Sequence, residues 1–218
     1  GLASLNANNS IGNLTFNGGQ LDVAMVNANT AYVLTVDHLE VDVPGGATIP
    51  GTVNLGVASL PGGIAPTGNL LQQDEVSANT GIKIVASNTV SSVGKQLTLL
   101  LDGVAPTDTT ITIHDGFGNN DVSATYGYMA VTTQSNTPGE TGLYAGYVLK
   151  ELQSNSNVVL DSTGAANESM GAKLTGTGNF EYRANSDSIT LLNSANDYTG
   201  QTTVSSGTLI LGDNHTLG

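Results

Sequence analysis

The sequence predicts an almost all-β protein, folded as a parallel β-helix, and three observations support this fold class. Charged residues make up only 11% of the 218 residues, and Thr, Val, Gly and Asn are used in place of helix formers. Apolar residues recur at every second position, which is the period of a strand with one buried face. Turn residues interrupt the strands about every 8–12 residues, a spacing that a sandwich, a barrel or a solenoid would share.

The predicted strands follow one another along the whole first half of the chain. Their alternating apolar residues are Leu14 and Phe16; Leu21, Val23 and Met25; Leu34 and Val36; Leu39, Val41 and Val43; Val53, Leu55 and Val57; Ile82 and Ile84; Leu97, Leu99 and Leu101; and Ile111 and Ile113. Pro, Gly and Asn provide the breaks, at 44–46, 61–63, 65–66, 105–106 and 115–121.

Internal similarity favours a repeating coil over a closed sandwich. Residues 14–23 (LTFNGGQLDV) align without a gap on residues 202–211 (TTVSSGTLIL), each as strand, glycine turn and strand. In residues 174–182, apolar residues and glycines alternate with polar ones, and glycines on an inward face indicate that a neighbouring backbone approaches closely. We expect roughly 8–10 rungs of about 20–25 residues each, stacked ~4.8 Å apart to a height of roughly 40–50 Å.

The charge balance excludes several classes of partner. The chain has eighteen acidic and five basic residues, which gives a formal charge of −13. It therefore lacks the basic surface that nucleic acid requires, and an anionic membrane would repel it. The absence of cysteine excludes a disulfide scaffold and a thiol nucleophile. No apolar run approaches the ~18 residues of a membrane span. Because the chain begins and ends in mid-pattern, we expect it to be a fragment of a longer protein.

The sequence offers no convincing catalytic, cofactor or metal site, and none is predicted. A glycosidase would need two carboxylates about 5–10 Å apart across a cleft, for which Asp37 with Glu40, or Asp74 with Glu75, are candidates. We interpret both pairs as solvated surface acids. A polysaccharide lyase would need a base and cationic groups, and the chain has four Lys and one Arg.

The histidines and the DGFGNND segment are interpreted as surface and turn residues. His38, His114 and His215 lie far apart in sequence and outside any metal-binding motif. Asp115, Asn119 and Asp121 are oxygen donors of the kind that bind calcium, but they lack the spacing of an EF-hand loop and its terminal Glu. A turn is the preferred interpretation of 115–121, with a weak cation site as the alternative.

The last third of the chain resembles the autotransporter-associated strand repeat. The motif residues are Leu174, Gly176 and Gly178; Asn196, Tyr198, Gly200, Thr202, Val204, Gly207 and Leu209; and Leu217 and Gly218. Upstream, residues 124–153 resemble the Tyr-rich segment that precedes such repeats in adhesin-like autotransporters of the AIDA and self-aggregating type. Residues 1–123 show only a loose resemblance to the family.

The resemblance implies a right-handed parallel β-helix in the passenger of an autotransporter (type V secretion), exposed on the surface of a Gram-negative bacterium. It implies irregular rungs over 1–123, a Tyr-rich segment over 124–160 with a protruding hairpin around 126–152, and autochaperone-like rungs over 161–218. The implied partners are the protein's own C-terminal outer-membrane β-barrel, other copies of itself, and host glycan or matrix. The implied role is adhesion, autoaggregation or biofilm formation, relevant to virulence. Two alternatives stay open: a carbohydrate-active β-helix enzyme, and a stalk whose catalytic head lies outside this fragment.

Overall fold

A computed structural model describes residues 1–42, 51–77, 79–91, 93–115, 120–164, 166–212 and 217–218. The protein is a β-solenoid of about nine turns with parallel stacked strands, and 59% of the described residues lie in strands. The predicted parallel β-helix is therefore confirmed. None of the helical segments in the described ranges is long and apolar enough to cross a bilayer.

Seventeen strands and one short 3-10 helix make up the described structure. The first nine strands are β1 Leu2–Leu5, β2 Asn9–Asn17, β3 Gln20–Val23, β4 Met25–Asn27, β5 Thr30–Ala31, β6 Leu34–Asp42, β7 Thr52–Leu55, β8 Ile82–Val90 and β9 Gln96–Leu101. The 3-10 helix, Leu70–Gln72, lies between β7 and β8. The remaining strands are β10 Thr109–His114, β11 Asp121–Thr133, β12 Gly142–Ser154, β13 Asn157–Asp161, β14 Glu168–Met170, β15 Lys173–Gly176, β16 Asn179–Leu191 and β17 Thr202–Leu211.

The chain divides into two compact units, each built from three stretches. Unit 1 contains residues 1–64, 75–107 and 127–147, and unit 2 contains residues 65–74, 108–126 and 148–218. The strands β11 and β12 each contribute residues to both units.

Unit 1 contains two parallel stacks whose inward side chains form columns. In the first, β1, β3, β7 and β9 pair in register, so that one buried column consists of Leu5, Val23, Leu55 and Leu101. In the second stack, β2 pairs with β6 and β6 with β8, all parallel. The period-two pattern of the sequence thus corresponds to one buried face per strand.

The rungs of unit 1 are unequal in length and depart from the roughly 20–25 residues per rung that the sequence predicted. Along the first stack Leu2 pairs with Gln20, Gln20 with Thr52, and Thr52 with Thr98. The spacing therefore grows from rung to rung. Long connections are tolerated because the entropy of closing a loop rises only slowly with its length.

The Tyr-rich segment forms β11 and β12, which are consecutive strands and hydrogen-bonded neighbours in the sheet. They do not leave the coil as a protruding hairpin. Within unit 1, β11 pairs antiparallel with β9, and β12 pairs antiparallel with β8. Leu143 and Tyr144 are buried there, so apolar burial holds these strands in the sheet. Across the two strands, the rings of Tyr128 and Tyr147 meet edge to face, with their centroids 5.1 Å apart.

Unit 2 holds the most regular coils. The strand β12 pairs with β15, β16 pairs with β13 and β14, and β17 pairs with β16, all in parallel. Asn157 pairs with Asn179 and Phe180 with Thr202, a spacing of 22 residues that also separates several hydrogen-bonded partners here. The expected rung length is met in this unit.

The last described strand, β17, is less buried than the sequence predicted. Ile189 on β16 is fully buried, as expected. Leu209, its partner on β17, is only half-buried, and Val204, Ile210 and Leu211 are 42–51% exposed. The reason is that, among the described strands, β17 pairs only with β16.

Candidate functional site

One corner of the coil in unit 2 collects the residues that the sequence singled out as a repeat motif. We call Asn196, Tyr198, Gly200 and Thr202 the corner motif. Asn196 is 8% exposed, and its Oδ1 accepts a hydrogen bond from the backbone N–H of Leu174, 22 residues earlier, at 2.8 Å. The side chain thus joins one rung to the next where the backbone turns and the strand ladder is interrupted.

The tyrosine of the corner motif fills the interior of the coil. Tyr198 is 1% exposed and its ring packs on that of Phe180, with the centroids 4.7 Å apart. Its hydroxyl and that of Thr202 are hydrogen-bonded at 2.7 Å. Tyr182 is also buried, and loss of contact with water is the main reason that its pKa is strongly raised. These rings give the coil an aromatic interior.

Glycine is required at the corner because successive rungs touch there. A Cβ on Gly200 would lie 2.8 Å from the backbone N of Asn179 and closer still to the carbonyl of Gly178. A Cβ on Gly178 would overlap in the same way with the backbone of Ser156. Neither glycine has a left-handed backbone, so the requirement is space. The close backbone approach predicted for this region is confirmed.

Asparagine side chains extend the ladder between rungs. The Oδ1 of Asn179 accepts from the backbone N–H of Gln201 at 2.8 Å, and the Nδ2 of Asn193 donates to the carbonyl of Gly171 at 2.9 Å. Sequence reasoning treated such residues only as turn formers. The recurrence of Asn157 and Asn179 at a 22-residue interval is the signal that could have revealed the ladder.

Residues 69–74, which we call the capping segment, cover the free edges of β13 and β14. The Nδ2 of Asn69 donates to the carbonyl of Asp161 at 2.6 Å, and the Oδ2 of the fully buried Asp74 accepts from the N–H of Gly171. Edge strands covered in this way cannot pair with further strands. Sequence reasoning missed this segment, because its partners lie more than 90 residues away.

Ion pairs lie on the outer surface of the same coils. Glu181 binds Arg183 at 2.7 Å and accepts from Ser205 at 2.6 Å. The hydrogen bond from Arg183 is the first cause of the lowered pKa of Glu181. Lys173 binds Asp197 at 2.7 Å and lowers the pKa of that carboxyl. Each bond crosses between rungs or lies along one on the solvent side of the stack, where an ion pair contributes at most about 1 kcal/mol.

The candidate carboxylate pairs are not gathered into a cleft. Asp37 and Glu40 are both exposed and bind different neighbours, Asn88 and Thr15. Asp74 is buried in the capping segment whereas Glu75 is exposed. The described residues contain no group of three or more His, Asp or Glu side chains placed to hold a metal ion.

The histidines and the 115–121 turn have local partners. His38 contacts the hydroxyl of Thr89 at 2.8 Å, and His114 contacts Asp121 at 2.9 Å. Asp115 is buried, and its Oδ2 accepts from Asn120 within the turn and from the N–H of Val159 on β13. This oxygen therefore joins the two described ends of the 115–121 segment and binds β13, while residues 116–119, and with them the predicted turn, lie outside the described residues. His215 and Asn119 lie outside the described residues.

The comparisons with known proteins give one curated relative. The chain is 26% identical over 239 residues to the "Uncharacterized protein YuaQ" of Escherichia coli (strain K12). The alignment covers 95% of this chain and 16% of that protein, so the chain spans about a sixth of the relative's length. No family model matches the chain, and no solved structure matches it.

Proposed function

We propose that this chain is a non-catalytic passenger segment of an autotransporter adhesin, with its coils serving as a stalk and its unit 2 as a folding template. The segment would stand on the surface of a Gram-negative bacterium, upstream of the protein's own outer-membrane β-barrel. It would support adhesion, autoaggregation or biofilm formation by contact with other copies or with host glycan or matrix.

The observation that carries the proposal is the stacking of rungs 22 residues apart in unit 2. A rung of this kind offers the next stretch of chain a row of backbone groups, an apolar interior and an asparagine ladder. In a solenoid the stability is a sum over neighbouring repeats, so folding can begin at one rung and spread to the next. Three motif residues of the resembled repeat, Gly178, Asn196 and Gly200, take part in the contacts between rungs.

The test is the display of the full-length protein on cells, with and without residues 124–218. We expect the deletion to leave a passenger that fails to become protease-resistant at the surface. Gly200→Ala should weaken display in the same direction, because it disturbs a single rung contact. Gly12→Ala is the matched control, since a Cβ at Gly12 meets no atom within 4 Å. A deletion variant that is displayed and protease-resistant would refute the template role.

A further inference from the structure

The capping segment meets β14 through two acidic side chains. The Nε2 of Gln72 donates to the Oε1 of Glu168 at 3.1 Å. At the other end of the strand, the Oδ2 of Asp74 accepts from the N–H of Gly171. One acid therefore lies on the strand and the other on the segment that covers it.

Glu168 is a buried carboxyl whose hydrogen-bond partner carries no charge. It is 8% exposed, and the amide of Gln72 is neutral. The strand β14 packs against β16 and against the 3-10 helix Leu70–Gln72. A carboxylate in such a position has lost most of its contact with water, and one neutral amide replaces only part of that contact.

The charged groups on the surrounding elements do not compensate for this burial. The 3-10 helix has none, and the capping segment adds a second acid, Asp74. The titratable side chains of β16 are Glu181, Tyr182, Arg183 and Asp187. Arg183, the cation among them, binds Glu181 and lies on the part of β16 that pairs with β13. Burial therefore raises the pKa of the Glu168 carboxyl, and the hydrogen bond from Gln72 opposes this only in part.

We propose that Glu168 makes the hold of the capping segment on β14 depend on pH, so that the segment is bound more tightly in acid than at neutral pH. When the segment lifts away, Glu168 reaches water and its pKa returns to about 4.3. Because the pKa is higher in the closed state, the stabilisation is fully present below the pKa of the open state and is lost as the pH rises through that of the closed state. Protonation leaves an oxygen that still accepts from Gln72.

The consequence is an edge whose cover varies with pH. The covered edge of β14 is protected from pairing with other strands, and at neutral pH a buried negative charge opposes that cover. The inference goes beyond the stalk and template roles and does not depend on them, because every group in it belongs to unit 2.

Amide hydrogen exchange of the purified 218-residue chain tests the proposal. The N–H groups of Gly171 and Leu149 both bond to the capping segment, so their protection reports its opening. The N–H of Leu174 bonds elsewhere and serves as the reference for changes in overall stability. Relative to Leu174, we expect the protection factors of Gly171 and Leu149 to fall at least about twofold between about pH 5 and about pH 7.5. Unchanged ratios would overturn the proposal.

Two matched variants identify the group responsible. Glu168→Gln keeps the shape of the side chain and its contact with Gln72 but removes the charge, so the two ratios should no longer vary with pH. Glu40→Gln removes one exposed carboxylate on β6 and should keep the full variation. A pH dependence that persists in Glu168→Gln would assign the effect to another group, such as Asp74, and would overturn the proposal.

A titration of the Glu168 carboxyl carbon by NMR needs no variant and therefore does not depend on whether Glu168→Gln folds. We expect its midpoint to lie above the ordinary glutamate value of about 4.3. A midpoint at or below that value would show that burial does not oppose the charge, and would overturn the proposal.

Discussion

Substitution of Gly200 by alanine tests whether successive rungs are in backbone contact. In folded proteins a Cβ atom does not come within 3.0 Å of a nonbonded heavy atom. The methyl carbon added by Gly200→Ala would lie 2.8 Å from the backbone N of Asn179 and closer still to the carbonyl of Gly178. The two rungs must therefore move apart. The hydrogen bonds on either side, Thr199 N to Gly176 O at 2.9 Å and Gln201 N to Asn179 Oδ1 at 2.8 Å, would lengthen.

The expected cost combines overpacking, about 1–3 kcal/mol, with two weakened hydrogen bonds of about 1 kcal/mol each, giving a total of about 3–5 kcal/mol. Urea unfolding followed by circular dichroism measures this total. Hydrogen exchange at the amides of Thr199 and Gln201 reports the local loosening. The control, Gly12→Ala, should change the free energy of unfolding by no more than about 0.5 kcal/mol. Equal unfolding free energies for Gly200→Ala and Gly12→Ala would refute the reasoning.

Four other substitutions probe the same coils by chemical denaturation. Ile189→Asp places an unpaired charge in a fully buried position and should cost several kcal/mol, whereas Leu209→Asp, on the half-buried strand β17, should cost clearly less; equal losses would contradict the burial described for β17. Asn196→Ala leaves the N–H of Leu174 without its partner and should cost about 1–3 kcal/mol. Glu181 has a lowered pKa in the folded state, so its stabilising effect is present above its unfolded pKa and is lost as the pH falls through the folded pKa. Glu181→Gln should therefore lower the free energy of unfolding at pH 7 and have little effect once the pH is below the folded pKa of Glu181. An equal loss at both pH values would exclude the carboxylate charge as the source of the stabilisation.

The sequence predicted the features that depend on neighbours in the chain. Apolar alternation identified the strands, since a residue and the next but one share a face. The alternation of Gly176 and Gly178 with polar residues predicted close backbone approach, which the overlap at Gly178 confirms. The buried position of Ile189 was predicted for the same reason.

Features that depend on distant partners could not be predicted. The capping segment is fixed by contacts of Asn69 and Asp74 with residues more than 90 positions later, and no local pattern encodes such a contact. Leu209 and Ile111 have strand-like alternation, but their exposure depends on whether another strand lies beside them. The individual rung lengths of unit 1 could not be predicted, because connections vary in length without disturbing the strands that they join.

The capping segment makes the outer strands of the unit 2 stack differ from one another. A β-sheet can in principle elongate from either of its two outer strands, but here the outer edges of β13 and β14 are occupied by Asn69 and Asp74. Among the described strands, β17 has a neighbour on one side only and presents half-exposed apolar residues on the other. The two outer sides of this stack therefore differ: side chains bonded to the backbone lie at β13 and β14, whereas half-exposed apolar side chains lie at β17.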